Sequence, residues 1–215
     1  MKQDTQNPPT DSQFGKDDVE VISRQTGYQG FFSIQKLELR HKLFAGGWSE
    51  PIRRELFVRG GATCMLPYDP VRDLVVLCEQ FRIGALYEGS SPWLMELVAG
   101  INEEGETPES VACREAQEEA GLEVKALRKI HHYLPSPGGS SEAIDLFCGL
   151  VNAEGVEGLY GLPHEGEDIR VRVVSRELAY TWVESGRIRD AAGIIALQWL
   201  QLNREQLLAE WREFL

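Results

Sequence analysis

Within Arg114-Glu115-Ala116-Gln117-Glu118-Glu119, glutamates stand at positions i, i+3 and i+4. On a helix of 3.6 residues per turn, Glu115, Glu118 and Glu119 share one face within an arc of about 100°. Carboxylates held this close repel one another, which raises their proton affinity or frays the helix. A hard cation resolves the conflict, and an all-oxygen donor set favours Mg²⁺ or Mn²⁺ over zinc. Arg114 lies four residues before Glu118 and can orient a ligating carboxylate. A plain solvated acidic face has the same spacing, so geometry leaves both readings open.

These residues need a helix anchored on its other side. The pattern predicts one over Pro108–Ala120: Thr107 suits the cap, Pro108 the first position and Gly121 the stop. Ala112, Cys113, Ala116 and Ala120 form a neighbouring face small enough to pack on a sheet. Before the helix, strands are expected at residues 19–23, 30–43, 52–58, 61–66, 74–81 and 93–98. Ala45-Gly46-Gly47 and Pro67-Tyr68-Asp69-Pro70 read as turns. After it, strands are expected at 124–133, 143–151 and 169–174, and helices at 175–185 and 190–215. A loop rich in glycine and acid spans 152–168 and suits an active-site lid. The expected fold is α/β of the α+β kind: an α/β/α sandwich with a mixed sheet, plus a small N-terminal antiparallel β-sheet. Residues 1–18 read as a mobile tail, 19–58 as the N-terminal sheet element, and 59–215 as the main domain.

Composition excludes several functions. A formal charge of −12 and a pI near 4.9 argue against nucleic-acid binding, which needs a basic face. An acidic protein acting on an anion must recruit cations or concentrate a few arginines, which again points to a metal. Cys64, Cys78, Cys113 and Cys148 show no ligand spacing and sit among apolar neighbours, so buried free thiols are expected. The polar N-terminus lacks a signal-peptide core, and apolar runs such as Leu74 to Cys78 are too short for a bilayer. The expected setting is cytoplasmic, with no membrane partner.

The full segment decides between the two readings of the helix. Residues 100–122 match G-x5-E-x7-R-E-U-x-E-E-x-G-U, with Gly100, Glu106, Arg114, Glu115, Glu118, Glu119 and Gly121 at its fixed positions. Seven fixed residues at ~7% usage each make a chance match on the order of one in a million. The chain thus resembles the Nudix hydrolases, which cleave pyrophosphate links in nucleoside-diphosphate compounds. The resemblance implies metal binding by Glu115 and Glu119 with Glu118 nearby, a ligand from the Ala99 carbonyl, and support of the loop by Glu106 and Arg114.

Pro137 lies sixteen residues beyond Gly121, a spacing that resembles the bacterial ADP-ribose pyrophosphatases of this family. Tyr28-Gln29-Gly30-Phe31-Phe32, Arg53-Arg54-Glu55, Glu79-Gln80-Phe81-Arg82 and Ile195-Ala196-Leu197-Gln198-Trp199-Leu200 extend the likeness. It implies that Phe31 and Phe32 border an adenine, since only one of two neighbours on a strand faces the core. It implies that Arg54, Glu55 and Arg59 hold nucleotide from a partner subunit's N-terminal region. Arg82 would meet phosphate, and Ile101, Ser136 and Glu142 would line the pocket. Glu165 resembles the general base and Glu167 a late metal ligand, although the two could exchange roles.

The implied reaction is Mg²⁺-dependent hydrolysis of ADP-ribose to AMP and ribose 5-phosphate, with two or three ions per site and water attacking the adenosyl phosphorus. Glu165, Glu115 and Glu119 would carry it. A small separate sheet is a poor core alone, and exchanging one between protomers is a low-cost route to a homodimer, as the related enzymes pair. Hydrolysis of another nucleoside-diphosphate sugar, such as GDP-mannose or ADP-glucose, is the nearer alternative. A non-catalytic ligand sensor is the remoter one, because sensors of this fold usually have eroded glutamates and a DNA-binding appendage, and here every glutamate is intact and the C-terminal helix is acidic.

Overall fold

A computed structural model describes residues 13–89, 91–162 and 166–214. Contacts divide the chain into two compact units: one runs up to Arg59 and includes Ser136–Ser141, and the other comprises Gly60–Pro135 and Glu142–Leu215.

The first unit is a three-stranded antiparallel sheet, β1 (Val19–Gln29), β2 (Ser33–His41) and β3 (Ile52–Val58), in that order. The β1–β2 turn is Gly30-Phe31-Phe32, closed by the Gly30 N–H donating to the Phe32 carbonyl at 2.9 Å. Phe31 and Phe32 therefore occupy a turn, not the strand expected from residue 30 onward, because that bond reverses the chain before Ser33. The β2–β3 connection turns at Gly46 and Gly47, as predicted. Ser136–Ser141 add to β3 through Phe57 N–H to the Gly139 carbonyl (2.8 Å) and Ser141 N–H to the Phe57 carbonyl (3.0 Å). Of the expected tail, residues 1–12 lie outside the described residues, while Lys16–Asp18 form a 3₁₀ turn.

The second unit holds β4 (Ala62–Asp69), β5 (Leu74–Phe81), β6 (Trp93–Glu96), β7 (Val98–Ile101), β8 (Ala126–Tyr133), β9 (Ile144–Leu150), β10 (Gly158–Tyr160) and β11 (Ile169–Ser175). The sheet runs β10-β11-β5-β4-β9-β8, with β6 on β5 and β7 on β4. Among the described residues the β4–β9 ladder is the parallel one of this sheet, which is therefore mixed. β4 and β9 are buried throughout, as strands covered on both faces must be. One face packs against α1 (Pro108–Ala120) through Met65, Val98, Ala112, Ala116 and Phe147. The other packs against α2 (Arg176–Glu184) and α3 (Ala191–Glu210) through Leu66, Tyr68, Ala179, Ala196 and Leu200. The result is the expected α/β/α sandwich. Among the described residues, no helix is long and apolar enough to cross a membrane.

The structure revises several expected elements. β4 continues through Pro67 and Tyr68, where a turn was expected. Its ladder to β7 ends at Met65 and its ladder to β5 begins at Tyr68, so Pro67 falls in the gap and its missing N–H is tolerated. The single strand expected at 93–98 is two, because the chain changes partner at Leu97, from β5 to β4. The 152–168 loop contains β10. Cys113 is exposed while Cys64, Cys78 and Cys148 are buried, since a 100° step from Ala112 carries Cys113 to the margin of the buried face.

A carboxylate helix as the candidate active site

α1 begins as its sequence dictates. Thr107 Oγ1 accepts from the Ser110 N–H at 3.2 Å, and Ser110 Oγ accepts from the Thr107 N–H at 3.1 Å. It ends on Gly121, whose φ of +61° only glycine adopts freely, with the Leu122 N–H returned to the Ala116 carbonyl at 2.9 Å. Glu118 and Glu119 thus lie in the last turn, which holds no basic residue and carries the negative end of the helix dipole. Each added carboxylate there costs energy unless a positive charge meets it.

Two positive groups do so in part. Arg114 donates a fork to Glu106, Nε to Oε1 at 2.9 Å and Nη2 to Oε2 at 3.1 Å. Its Nη1 reaches Glu115 Oε1 at 2.7 Å and Glu118 Oε2 at 3.1 Å. The Arg114 bonds hold the Glu106 carboxyl below its usual range. Glu106 also accepts the Glu103 N–H at 3.1 Å, which fastens the loop entering the helix. The second positive group is Arg82, at the end of β5, whose charge reaches Glu119.

Glu119 is 2% exposed and accepts the Ala99 N–H at 2.9 Å. Burial, then the negative charges of Glu115 and Glu167, push its carboxyl up to about 8 despite that bond. Burial also raises Glu115, against the pull of Arg114. Between them, β7 passes so close to α1 that a Cβ on Gly100 would stand 1.7 Å from Glu115 Oε1. Glycine at 100 is therefore a space requirement of that carboxylate.

Glu167 Oε2 accepts the Leu162 N–H at 3.1 Å, and its charge is felt by both Glu115 and Glu119. Glu165 lies outside the described residues. Ile101 is 41% exposed at the end of β7, and Glu142 is half-buried just before β9. In this unit the structure therefore brings together Ala99, Gly100, Glu106, Arg114, Glu115, Glu118, Glu119, Glu167 and Arg82.

The remaining expected residues belong to the first unit. Phe31 is 85% exposed and meets Phe32 edge-on at 4.7 Å between ring centroids. Phe32 packs on Phe57 at 5.2 Å and lies under the Arg59 guanidinium at 5.1 Å. Arg54 and Glu55 line a groove of about 540 Å³ with Lys36, Glu38 and Arg53. The Ser136 carbonyl accepts from Gly139 and Ser140 N–H groups, which closes the loop bearing Pro137.

Residues 58–204 match the NUDIX domain family. The chain belongs to the Nudix family. Over 198 residues it is 56% identical to the ADP-ribose pyrophosphatase of Escherichia coli K12, covering 92% of this chain and 95% of that one. It is 48% identical over 202 residues to the ADP-ribose pyrophosphatase of Haemophilus influenzae, covering 93% of each. Its fold is similar to the crystal structure of an ADP compounds hydrolase, with a TM-score of 0.67 at 17% identity over 88% of this chain and 96% of that one.

Nudix pyrophosphatases generally need a divalent metal, and the donor set here suits one. Buried Glu119 and half-buried Glu115 are both raised, chiefly by loss of solvent, and all the candidate donors are oxygens. Among the described residues no three acidic, histidine or cysteine side chains are gathered around one point. Glu115 and Glu118 instead rest on Arg114.

Two half-buried acids whose charges reach Arg82 were not singled out from the sequence. Glu96 on β6 pairs with Arg82, and Asp190 caps α3 with its Oδ2 on the Gly193 N–H at 2.7 Å. A lone glutamate inside the apolar run Trp93-Leu94-Met95-Glu96-Leu97-Val98 was the available signal for the first.

Proposed function

We propose that this Nudix protein hydrolyses ADP-ribose with water to AMP and ribose 5-phosphate, using Mg²⁺ at the α1 carboxylates. The observation that carries this reading is the acid Glu119, 2% exposed on the carboxylate face of α1, raised chiefly by that burial and set within reach of the Arg82 charge. Such a group is unfavourable in a purely structural helix and useful beside a cation and a phosphate. The choice of ADP-ribose rests on 56% identity across nearly the whole chain to an enzyme of that name.

Glu115, Glu118, Glu119, the Ala99 carbonyl and Glu167 would hold two or three ions. Bound there, Mg²⁺ would neutralise pyrophosphate charge and acidify a coordinated water. Arg114, fixed by its fork to Glu106, holds Glu115 and Glu118 in place until that charge arrives. Arg82 contributes positive charge on the phosphate side. Glu165 receives the proton of the attacking water, with Glu167 as the alternative. The new oxygen–phosphorus bond forms at the adenosyl phosphorus, and the bond to the bridging oxygen breaks, releasing ribose 5-phosphate. Phe31 and Phe32 would border the adenine, Arg54, Glu55 and Arg59 would hold the nucleotide from the N-terminal region of a partner subunit, and Ile101, Ser136 and Glu142 would contact the substrate. The N-terminal sheet is shared between the subunits of a homodimer. A reducing cytoplasm suits three buried unpaired thiols.

Product analysis tests this. Purified protein is given ADP-ribose, GDP-mannose and ADP-glucose with Mg²⁺ in H₂¹⁸O. Fastest turnover of ADP-ribose, with label in AMP and loss of activity in EDTA, is the expected result. Faster turnover of GDP-mannose or ADP-glucose would discard the substrate. Label in ribose 5-phosphate would discard the site of attack.

A further inference from the structure

We infer that Glu96 is a positioning residue that pins the Arg82 guanidinium through Nε and leaves both its Nη groups to meet the pyrophosphate. This rests on the functional reading above and assigns a task to a residue outside the 100–122 pattern.

Arg82 follows the last residue of β5, and its backbone is fixed where it leaves the sheet. The Arg82 N–H donates to the Pro92 carbonyl at 2.8 Å, and its carbonyl accepts from the Ala85 N–H at 3.0 Å. Glu96 stands on the neighbouring strand, in register with Cys78. Its Oε2 accepts from Arg82 Nε at 2.7 Å, and its side chain is only 15% exposed. A short charge-assisted bond from a shielded carboxylate fixes a guanidinium better than a surface pair does.

Which nitrogen is used decides the consequence. Among the described residues, neither Nη of Arg82 has a hydrogen-bond partner, and its side chain is 43% exposed. Arg114 is the contrast, with all its nitrogens spent on Glu106, Glu115 and Glu118. Arg82 is thus held from one edge and presents the other, the two-nitrogen fork that matches two oxygens of a phosphate. Its charge also reaches Glu119 and Asp190. Asp190 Oδ1 is buried with no partner among the described residues, so it adds negative field without competing for the fork. A lysine at 82 would have no Nε–H to pin, so the arrangement requires arginine.

The test is a double-mutant cycle with a readout that does not need turnover. Glu96→Leu is expected to lower kcat/KM for ADP-ribose by about tenfold to a hundredfold, the range of a hydrogen bond to a charged group. Glu96→Gln, which keeps an acceptor, is expected to recover most of it. Arg82→Ala should cost at least as much, and Glu96→Leu added to Arg82→Ala should cost nothing further. In NMR spectra, the Arg82 Nε–Hε signal should exchange slowly in the wild type and in Glu96→Gln, and quickly in Glu96→Leu. Multiplicative losses, or an Nε–Hε signal indifferent to Glu96, overturn the proposal. Should the wild type hydrolyse none of the nucleotide sugars, the functional reading fails by itself. Calorimetric binding of inorganic pyrophosphate with Mg²⁺ then replaces kcat/KM in the same cycle. Weakening by Glu96→Leu only when Arg82 is present would uphold the positioning role, and absence of pyrophosphate binding would end it.

Discussion

Glu119→Gln exchanges a charge for a neutral group of the same shape whose Oε1 can still accept the Ala99 N–H. In the metal-free fold this should stabilise the protein. Glu119 is about 8 in the folded state against 4.5 as a free side chain, because it is buried beside Glu115 and Glu167. The folded state therefore holds the proton more tightly than the unfolded one. That contribution is fully present below pH 4.5 and is lost as pH rises through 8. Integrated to pH 7, the loss is on the order of 3 kcal/mol, and to pH 5 less than about 1 kcal/mol. In EDTA at pH 7, the Gln variant should melt roughly 6–12 °C above the wild type, and the gap should nearly close at pH 5. Adding Mg²⁺ should raise the wild-type Tm with concentration and leave the variant's unchanged, while the variant loses activity. Equal melting of the two proteins in EDTA at pH 7 would refute the reasoning, since Glu119 would then carry no charge cost for a metal to relieve.

Gly100→Ala should separate function from folding. The new Cβ displaces only the Glu115 side chain, whose Oε1 would be 1.7 Å away, so Tm should move little. Activity should fall by about 10- to 100-fold, as when a ligand carboxylate loses its support; unchanged activity would remove Glu115 from the metal set. Asp190 is pushed up to about 6 from 3.8, chiefly by burial, so its contribution to stability is present below pH 3.8 and lost as pH rises through 6. Asp190→Asn, still able to cap α3, should gain up to about 3 kcal/mol at pH 7.5 by denaturant titration, and little at pH 4. With a thiol reagent under native conditions, Cys113 should react while Cys64, Cys78 and Cys148 wait for unfolding. Prompt modification of all four would mean that the sandwich opens readily.

Legibility in the sequence followed the range of the forces involved. The bounds of α1 were readable because its stop and start signals are local: Thr107 and Ser110 cap each other, and Gly121 takes a conformation other residues resist. β5 was readable for the same reason, as an apolar run that follows a turn. Pro67 and Leu97 were not, because each is decided by which strand lies alongside. A proline is harmless where one ladder has ended and the next has not begun, and a strand divides where it trades one neighbour for another. No one-dimensional pattern carries that information. Cys113 failed more narrowly, since helical spacing placed it at the edge of the buried face and the width of the facing sheet decided the rest.

The site divides along the same line. Its carboxylates were legible because a helix turns spacing into proximity over a single turn, and Arg114 with Glu106 spans only eight residues. The cost of that proximity was not legible. It arises because β7 lies against α1 closely enough to exclude a side chain at Gly100 and to bury Glu119 under the Ala99 amide. Arg82 shows the remaining step: its residue type was visible in Glu79-Gln80-Phe81-Arg82, but the edge of the guanidinium it can offer is set by Glu96 across a strand pairing. Residue types therefore disclose which chemistry is available, and the sheet register discloses which atoms are left free to perform it. In this chain a carboxylate raised by burial and an arginine pinned by one nitrogen both depend on the step by which the chain leaves β5 as β6 and joins β4 as β7, which lies against α1.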